Sequence, residues 1–200
     1  MSNFSGDVVV ASGNIGKVAE LSRLFAPLAL NLRLQSEFAV VPAEETGLTF
    51  VENAILKARA AAKQTGLPAL ADDSGLEVDA LHGAPGVRSA RYAQSGRTDD
   101  NNARLLAALD GVPDAERRAR FHCVLVFMRH ADDPVPLIAQ GSWEGSILRE
   151  ARGSGGFGYD PLFYLPDRQA SAAELDAGVK NSISHRGLAA KQMLALLGGA

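Results

Sequence analysis

The residues best able to do chemistry in this chain are two adjacent pairs of acids, Glu44-Glu45 and Asp72-Asp73. Glu44-Glu45 precedes a predicted helix, and Asp72-Asp73 follows a predicted strand. Ligands in α/β folds gather at the C-terminal ends of strands. Two such pairs on neighbouring loops would make an oxygen-rich site suited to magnesium, which takes a few carboxylates and completes its shell with water and substrate phosphates. Neighbours in an extended segment point to opposite faces, so one member of each pair is expected to face the ion. Asp72-Asp73-Ser74-Gly75 is also good turn chemistry, and Glu44-Glu45 also suits a solvated loop.

Cationic and glycine-bearing segments accompany these acids. Ser12-Gly13-Asn14-Ile15-Gly16-Lys17 lies between a strand and a helix. Glycines there let backbone N–H groups approach an anion, and the helix N-terminus adds partial positive charge. Lys17 in the first turn can reach a phosphate oxygen. The glycine spacing is too short for a Walker loop, and Val18 stands where that loop has serine or threonine. The segment serves equally as a simple strand-to-helix turn. Asn53 and Lys57 are one helical turn apart on one face, so Lys57 can project toward the same region.

Two further segments lie late in the chain. Gly153-Ser154-Gly155-Gly156-Phe157-Gly158-Tyr159-Asp160 contains the string G-x-G-x-x-G, but a dinucleotide fingerprint must open a helix, and Asp160-Pro161-Leu162-Phe163 continues as extended chain. The segment reads as a loop offering Phe157 or Tyr159 for stacking and Asp160 for hydrogen bonding, or as a hairpin with its aromatics in the core. Lys180-Asn181-Ser182-Ile183-Ser184-His185-Arg186-Gly187 crowds three basic side chains just ahead of a predicted helix. Cations are unfavourable at a helix N-terminus, so an anionic or acceptor-rich ligand is the expected reason for them. Arg88 and Arg91 are lesser candidates.

The elements that must position these groups follow from apolar spacing. Val8–Ala11 reads as a buried strand, Lys17–Phe25 as a helix stopped by Pro27, and Leu30–Leu34 as a second strand. Thr49 and Glu52 have capping-box spacing, so a helix is expected from Phe50 to about Lys63, ended by Gly66. Ala69–Ala71 reads as a short strand delivering Asp72 and Asp73 into a turn at Ser74-Gly75. Asp99–Leu109 reads as a helix, Arg120–Arg129 and Leu137–Leu148 as long paired strands, and Leu188–Leu197 as a terminal helix. The expected fold is α/β, with a central mixed sheet flanked by helices on both faces. Residues 1–200 are expected to form a single domain, since no linker divides them.

Composition bounds the function. The chain has 200 residues, 46% hydrophobic and 22% charged, the profile of a soluble globular protein. The formal charge of −3 argues against a nucleic-acid coat, which needs a cationic surplus. Cys123 is the only cysteine, which excludes an internal disulfide and a cysteine metal cluster. No run of roughly 18 apolar residues is available to span a membrane, and Met1–Asp7 lacks the apolar core of a signal peptide. A cytoplasmic location is expected.

Taken together, these segments resemble the nonstandard purine triphosphate pyrophosphatase family, also called inosine/xanthosine triphosphatase or Ham1-like. The resemblance runs through Ser12–Lys17, Glu44-Glu45-Thr46-Gly47, Glu52-Asn53-Ala54 with Lys57-Ala58, Ala71–Leu76, Gly83–Gly86 with Ser89–Tyr92, Gly155–Pro161, and Ser184–Gly187. It spans about Val8 to Leu197. One departure is Ser12 where threonine is common, which keeps the hydroxyl.

The resemblance implies an elongated mixed sheet with two lobes, an active-site cleft between them, and a homodimer. It also implies hydrolysis of ITP, dITP and XTP between the α and β phosphates, giving the monophosphate and pyrophosphate and cleansing the nucleotide pool. By motif, Ser12, Gly13, Asn14, Ile15, Gly16 and Lys17 hold the phosphates. Glu44 and Asp73 help bind Mg2+, and Asp73 is the catalytic base. Lys57 faces the same charge, while Ser74, Phe157, Gly158, Tyr159, Asp160, Lys180, His185 and Arg186 contact the nucleotide. Arg186 or Lys180, as a donor to the 6-oxygen, would favour hypoxanthine over adenine. A sensor without turnover would share the nucleotide pocket but have no need of the carboxylates. A triphosphatase cutting the terminal phosphate would differ in its products.

Overall fold

Val8, Val9 and Val10 are all fully buried, so both faces of the strand that carries them are covered. That strand lies inside a parallel arrangement with helices on either side. The computed structural model describes residues 6–28 and 30–198. Strand β1 (Gly6–Val10) pairs in parallel with β2 (Leu30–Leu34) and with β3 (Ala69–Val78). The connections are helices α1 (Ile15–Leu24) and α2 (Phe50–Thr65). The sheet has seven strands in the order β2-β1-β3-β4-β5-β6-β7, where β4 is Arg118–Met128, β5 Leu137–Ile147, β6 Phe163–Leu165 and β7 Ala170–Ser171. Pairs β5–β6 and β6–β7 are antiparallel, so the sheet is mixed, as the apolar spacing predicts. Helices α3 (Thr98–Ala108), α4 (Ala177–Ile183) and α5 (His185–Leu196) complete the α/β fold.

The chain divides into two compact units, and strands β3, β4 and β5 each contribute to both. The first draws on Met1–Asp73, Cys123–Gly141 and Arg186–Ala200. Its strands alternate sides with period two. Val8, Val10, Leu70, Cys123, Leu125 and Phe127 pack with Leu21 and Phe25 of the α1 region and with Ala189, Ala190 and Met193 of α5. Val9, Ala11, Ala69, Ala71, Val124, Val126 and Met128 pack instead on Ala54, Ala58, Ala61 and Ala62 of α2. Small side chains on α2 let its backbone lie close to the sheet. The second unit, Ser74–His122 and Ser142–His185, has its own core around Phe121, Trp143 and Phe163. The Phe163 ring lies 4.6 Å from that of Phe121 and 5.2 Å from that of Trp143, centroid to centroid.

Local signals place the element ends where their chemistry requires. Thr49 Oγ1 accepts from the Glu52 N–H, and the Glu52 carboxylate accepts from the Thr49 N–H, closing a capping box at the start of α2. Gly66 ends that helix at φ 69°, a left-handed conformation that glycine adopts without penalty.

Two expectations are corrected. The turn expected at Ser74-Gly75 does not form, because β3 continues through Asp72-Asp73-Ser74-Gly75 to Val78. Sheet pairing and burial override the turn preference of that string. The terminal helix begins at His185 rather than Leu188, and Lys180 lies in a separate short helix, α4.

Replacing Thr49 with Ala should cost about 1 kcal/mol, the usual worth of an N-cap side chain. Urea unfolding with an unchanged m-value would measure it. An unaltered midpoint would mean that Glu52 alone holds the helix start.

Candidate active site

In the first unit, the continuous strand β3 sends adjacent carboxylates to different partners. Asp72 lies fully inside the protein. Its Oδ1 accepts from Lys17 Nζ at 2.7 Å, and its Oδ2 accepts from Arg186 Nε at 2.7 Å and from Cys123 Sγ at 3.4 Å. Arg186 also donates through Nη1 to Glu20 Oε2 at 2.6 Å. Lys17 and Glu20 both stand on α1, so the four side chains form a buried ring joining α1, β3 and α5. Burial alone would raise the Asp72 pKa, but the charges of Arg186 and Lys17 override it and hold the carboxyl well below the usual carboxylate range. Burial pushes the Cys123 thiol well up, so it stays protonated and donates to Asp72.

Asp73 turns to the other side, as the period of a strand requires. Its Oδ1 accepts from Lys57 Nζ at 2.6 Å, and Lys57 donates as well to Glu45 Oε1 at 3.0 Å. One ammonium on α2 thus draws together an acid of β3 and an acid of the loop ahead of α2. Asp73 Oδ2 is buried and has no hydrogen-bond partner among the described residues. Burial raises the Asp73 pKa above its ordinary value, and attraction to Lys57 only partly offsets this. Lys57 itself is held charged: burial acts against the ammonium, but Asp73 and Glu45 outweigh it. Glu44 is exposed on the same loop. Of the adjacent pair, Glu45 is the residue tied through Lys57 to Asp73. Among the described residues, no three His, Cys, Asp or Glu side chains gather as a ready-made metal cluster.

The segment before α1 is the expected strand-to-helix turn. Asn14 caps the helix, its side chain accepting from the Lys17 N–H at 3.2 Å, and Ser12 Oγ accepts from the Asn14 N–H at 3.2 Å. Gly13 and Asn14 are exposed and Gly16 is half-buried, so this backbone lies at the surface beside a helix N-terminus.

The second unit gathers another part of the expected set. Asp160 is buried and accepts from Lys180 Nζ at 2.7 Å and from the Phe157 N–H at 2.8 Å. Lys180 Nζ also lies 5.0 Å from the centroid of the Phe157 ring. Gly156, at φ 71°, passes so close to Asp160 that a Cβ there would overlap its carboxylate. His185 is buried and stacks on Phe121, with centroids 4.7 Å apart and planes 14° from parallel.

Several placements differ from expectation. Tyr159 does not present its ring to the surface. It is buried in the second unit's core, and its hydroxyl donates to the Ser89 carbonyl at 2.8 Å. Of the two aromatics weighed for stacking, the half-buried Phe157 is the one not committed to the core. Arg186, expected against the base, directs Nε and Nη1 to Asp72 and Glu20, two buried carboxylates that require a cation. Glu20 escaped the sequence reading. Its only signal was an acid among Val18, Leu21 and Leu24 on the helix face that packs inward. Arg88 and Arg91 are exposed.

With this geometry in place, the family follows from comparison. The Ham1 family model matches residues 8–196. The chain belongs to the Ham1 family. Among its relatives, the dITP/XTP pyrophosphatase of Shigella flexneri is 59% identical over 188 residues, covering 94% of this chain and 95% of the relative. The dITP/XTP pyrophosphatase of Escherichia coli K12 is 57% identical over the same span. The solved structure of a HAM1 protein from Coxiella burnetii superposes with a TM-score of 0.89 at 53% identity, covering 97% of this chain and 99% of that one. The α/β fold described above is thus that of the Ham1 proteins.

The ring around Asp72 makes a stability prediction. Its folded pKa is depressed, so its contribution is present above the unfolded pKa and is lost as pH falls through the folded value. Asp72→Asn leaves Arg186 short of a buried counter-charge and should cost about 3–5 kcal/mol. Denaturant unfolding at neutral pH measures the loss, and the variant's stability should also fall less steeply on acidification. A loss under 1 kcal/mol would show that Glu20 alone neutralises Arg186.

Proposed function

We propose that this Ham1 chain hydrolyses nonstandard purine nucleoside triphosphates (dITP, ITP and XTP) to the monophosphate and pyrophosphate. The names of relatives near 58% identity support the substrate class. The observation that carries the chemistry is the Lys57 ammonium held between Glu45 and Asp73, with the second Asp73 oxygen buried and unpartnered. An orphaned buried carboxylate oxygen is costly unless something binds it. A hard divalent cation suits that oxygen, because magnesium uses few protein carboxylates and takes its other oxygens from water and phosphate. The residues that would hold it are Asp73 and an acid of the Glu44-Glu45 loop. Magnesium, when bound, would reduce the phosphate charge that a nucleophile must approach.

The chain's own groups do the rest. Asp73 orients the attacking water or takes its proton, a task helped by a pKa shifted toward neutrality. Lys17 and Lys57 offset charge gathering on the phosphates. The exposed backbone of Ser12 to Gly16, beside the α1 N-terminus, holds phosphate oxygens. Phe157 stacks on the purine, and Ser74, Gly158, Asp160, Lys180 and His185 complete the nucleotide contacts. Arg186 or Lys180 is the donor that favours a 6-oxygen over the adenine amino group. A donor facing that amino group would lose its partner. No helix of the described residues is long and apolar enough to cross a membrane. We place the enzyme in the cytoplasm as a homodimer.

Hydrolysis of ITP should release pyrophosphate, with no orthophosphate formed directly. Asp73→Asn should lower kcat by about 10²–10⁴ while the fold persists by circular dichroism. Near-normal turnover of that variant would remove Asp73 as the base. In the metal-free protein the Asp73 carboxyl should titrate above its ordinary value, because burial raises its pKa, and NMR of its carboxyl carbon follows the titration. Lys57→Met takes away the charge that opposes this rise, so the titration should move further upward. A downward or absent movement would show that Lys57 does not set the charge state of Asp73.

A further inference from the structure

Asn53 stands one helical turn before Lys57 on α2 and is fully buried. Its Oδ1 accepts from the Gly47 N–H at 2.8 Å. Its Nδ2 is buried with no hydrogen-bond partner among the described residues. The fit against Gly47 is tight: a Cβ on that glycine would lie 2.7 Å from Asn53 Oδ1 and 2.6 Å from Glu52 Cβ. Helix α2 therefore holds the Glu44–Gly47 loop at two points. Asn53 fastens its backbone at Gly47, and Lys57 fastens the side chain of Glu45.

We infer that Asn53 is a positioning residue for the acid-bearing loop, setting it near Asp73 so that Asp73 and an acid of that loop can take a divalent cation. This rests on the metal reading given above. Three observations support it. A buried amide with one bond made and its donor group unmet is poor design for an inert core site, where an apolar side chain of similar size would avoid the cost. The amide's one bond goes to the backbone of the acid loop and not to α2 or the sheet. And the closeness of the amide, together with Glu52, leaves room only for glycine at the contact. Outer groups that fix the orientation of ligating side chains commonly set metal affinity.

The test uses manganese(II) as a paramagnetic stand-in for magnesium, titrated by EPR into the full-length protein without nucleotide. It is paired with the magnesium dependence of ITP hydrolysis. Asn53→Ala and Gly47→Ala break the same hydrogen bond from opposite sides. Each should weaken manganese binding by about 10–100-fold, and the double variant should be little worse than either single one. At saturating magnesium, kcat should stay within a few-fold of wild type, a split that general loosening of the fold would not produce. Melting of the metal-free proteins identifies a variant that fails to fold, in which case the other member of the pair decides. Wild-type manganese affinity in a folded Asn53→Ala or Gly47→Ala variant overturns the role of Asn53 and leaves the metal reading intact. A wild-type protein that binds no manganese and hydrolyses ITP in excess chelator overturns both.

Discussion

A carboxylate taken into a protein interior must be met by positive charge or give up its own, and β3 carries two of them side by side. Asp72 and Asp73 are nearly inaccessible to solvent, and neither could remain ionised in a purely apolar setting. The ion pairs that resolve this tie the first unit together. Asp72 draws in Lys17 from α1 and Arg186 from α5, and Asp73 draws in Lys57 from α2. Each helix that packs on this part of the sheet thereby brings a cation to β3.

The strand's period of two divides the labour. On one side Asp72 is fully engaged: both oxygens are occupied, its pKa is driven down, and it acts as a fixed counter-ion. On the other side Asp73 is engaged through one oxygen only, and burial raises its pKa. Two residues of the same type, adjacent in sequence, thus become a fully paired anion and a half-paired one. The difference lies in how many donors each meets. Lys17, Arg186 and the Cys123 thiol all donate to Asp72, whereas Lys57 shares its ammonium between Asp73 and Glu45.

The second unit uses the same device once more. Asp160 is buried against Lys180, and the backbone of the glycine-rich loop closes on that carboxylate through the Phe157 N–H. Gly156 serves this close approach, whereas Gly153 and Gly155 pass close to Ala173. Phe157, held beside the Lys180 ammonium, remains partly open, while Tyr159 two residues on is drawn into the core.

Sequence alone determined what depends on local spacing. The α/β order, the capped start of α2, its glycine stop, the strand-to-helix turn before Lys17 and the family resemblance are all readable from residue types at short separations, because capping, period and turn geometry act over a few residues. The grouping of Glu44-Glu45, Lys57 and Asp73 as neighbours was legible only as a pattern of types. Only tertiary structure decided the rest. It extended β3 through a string that locally favours a turn, drew Tyr159 into the core while leaving Phe157 half-buried, enlisted Glu20, and directed Arg186 to Asp72 and Glu20. Each of these outcomes depends on which charged or aromatic groups share one dry space. That is a matter of contacts between residues as far apart as Glu20 and Arg186, and no local preference encodes it.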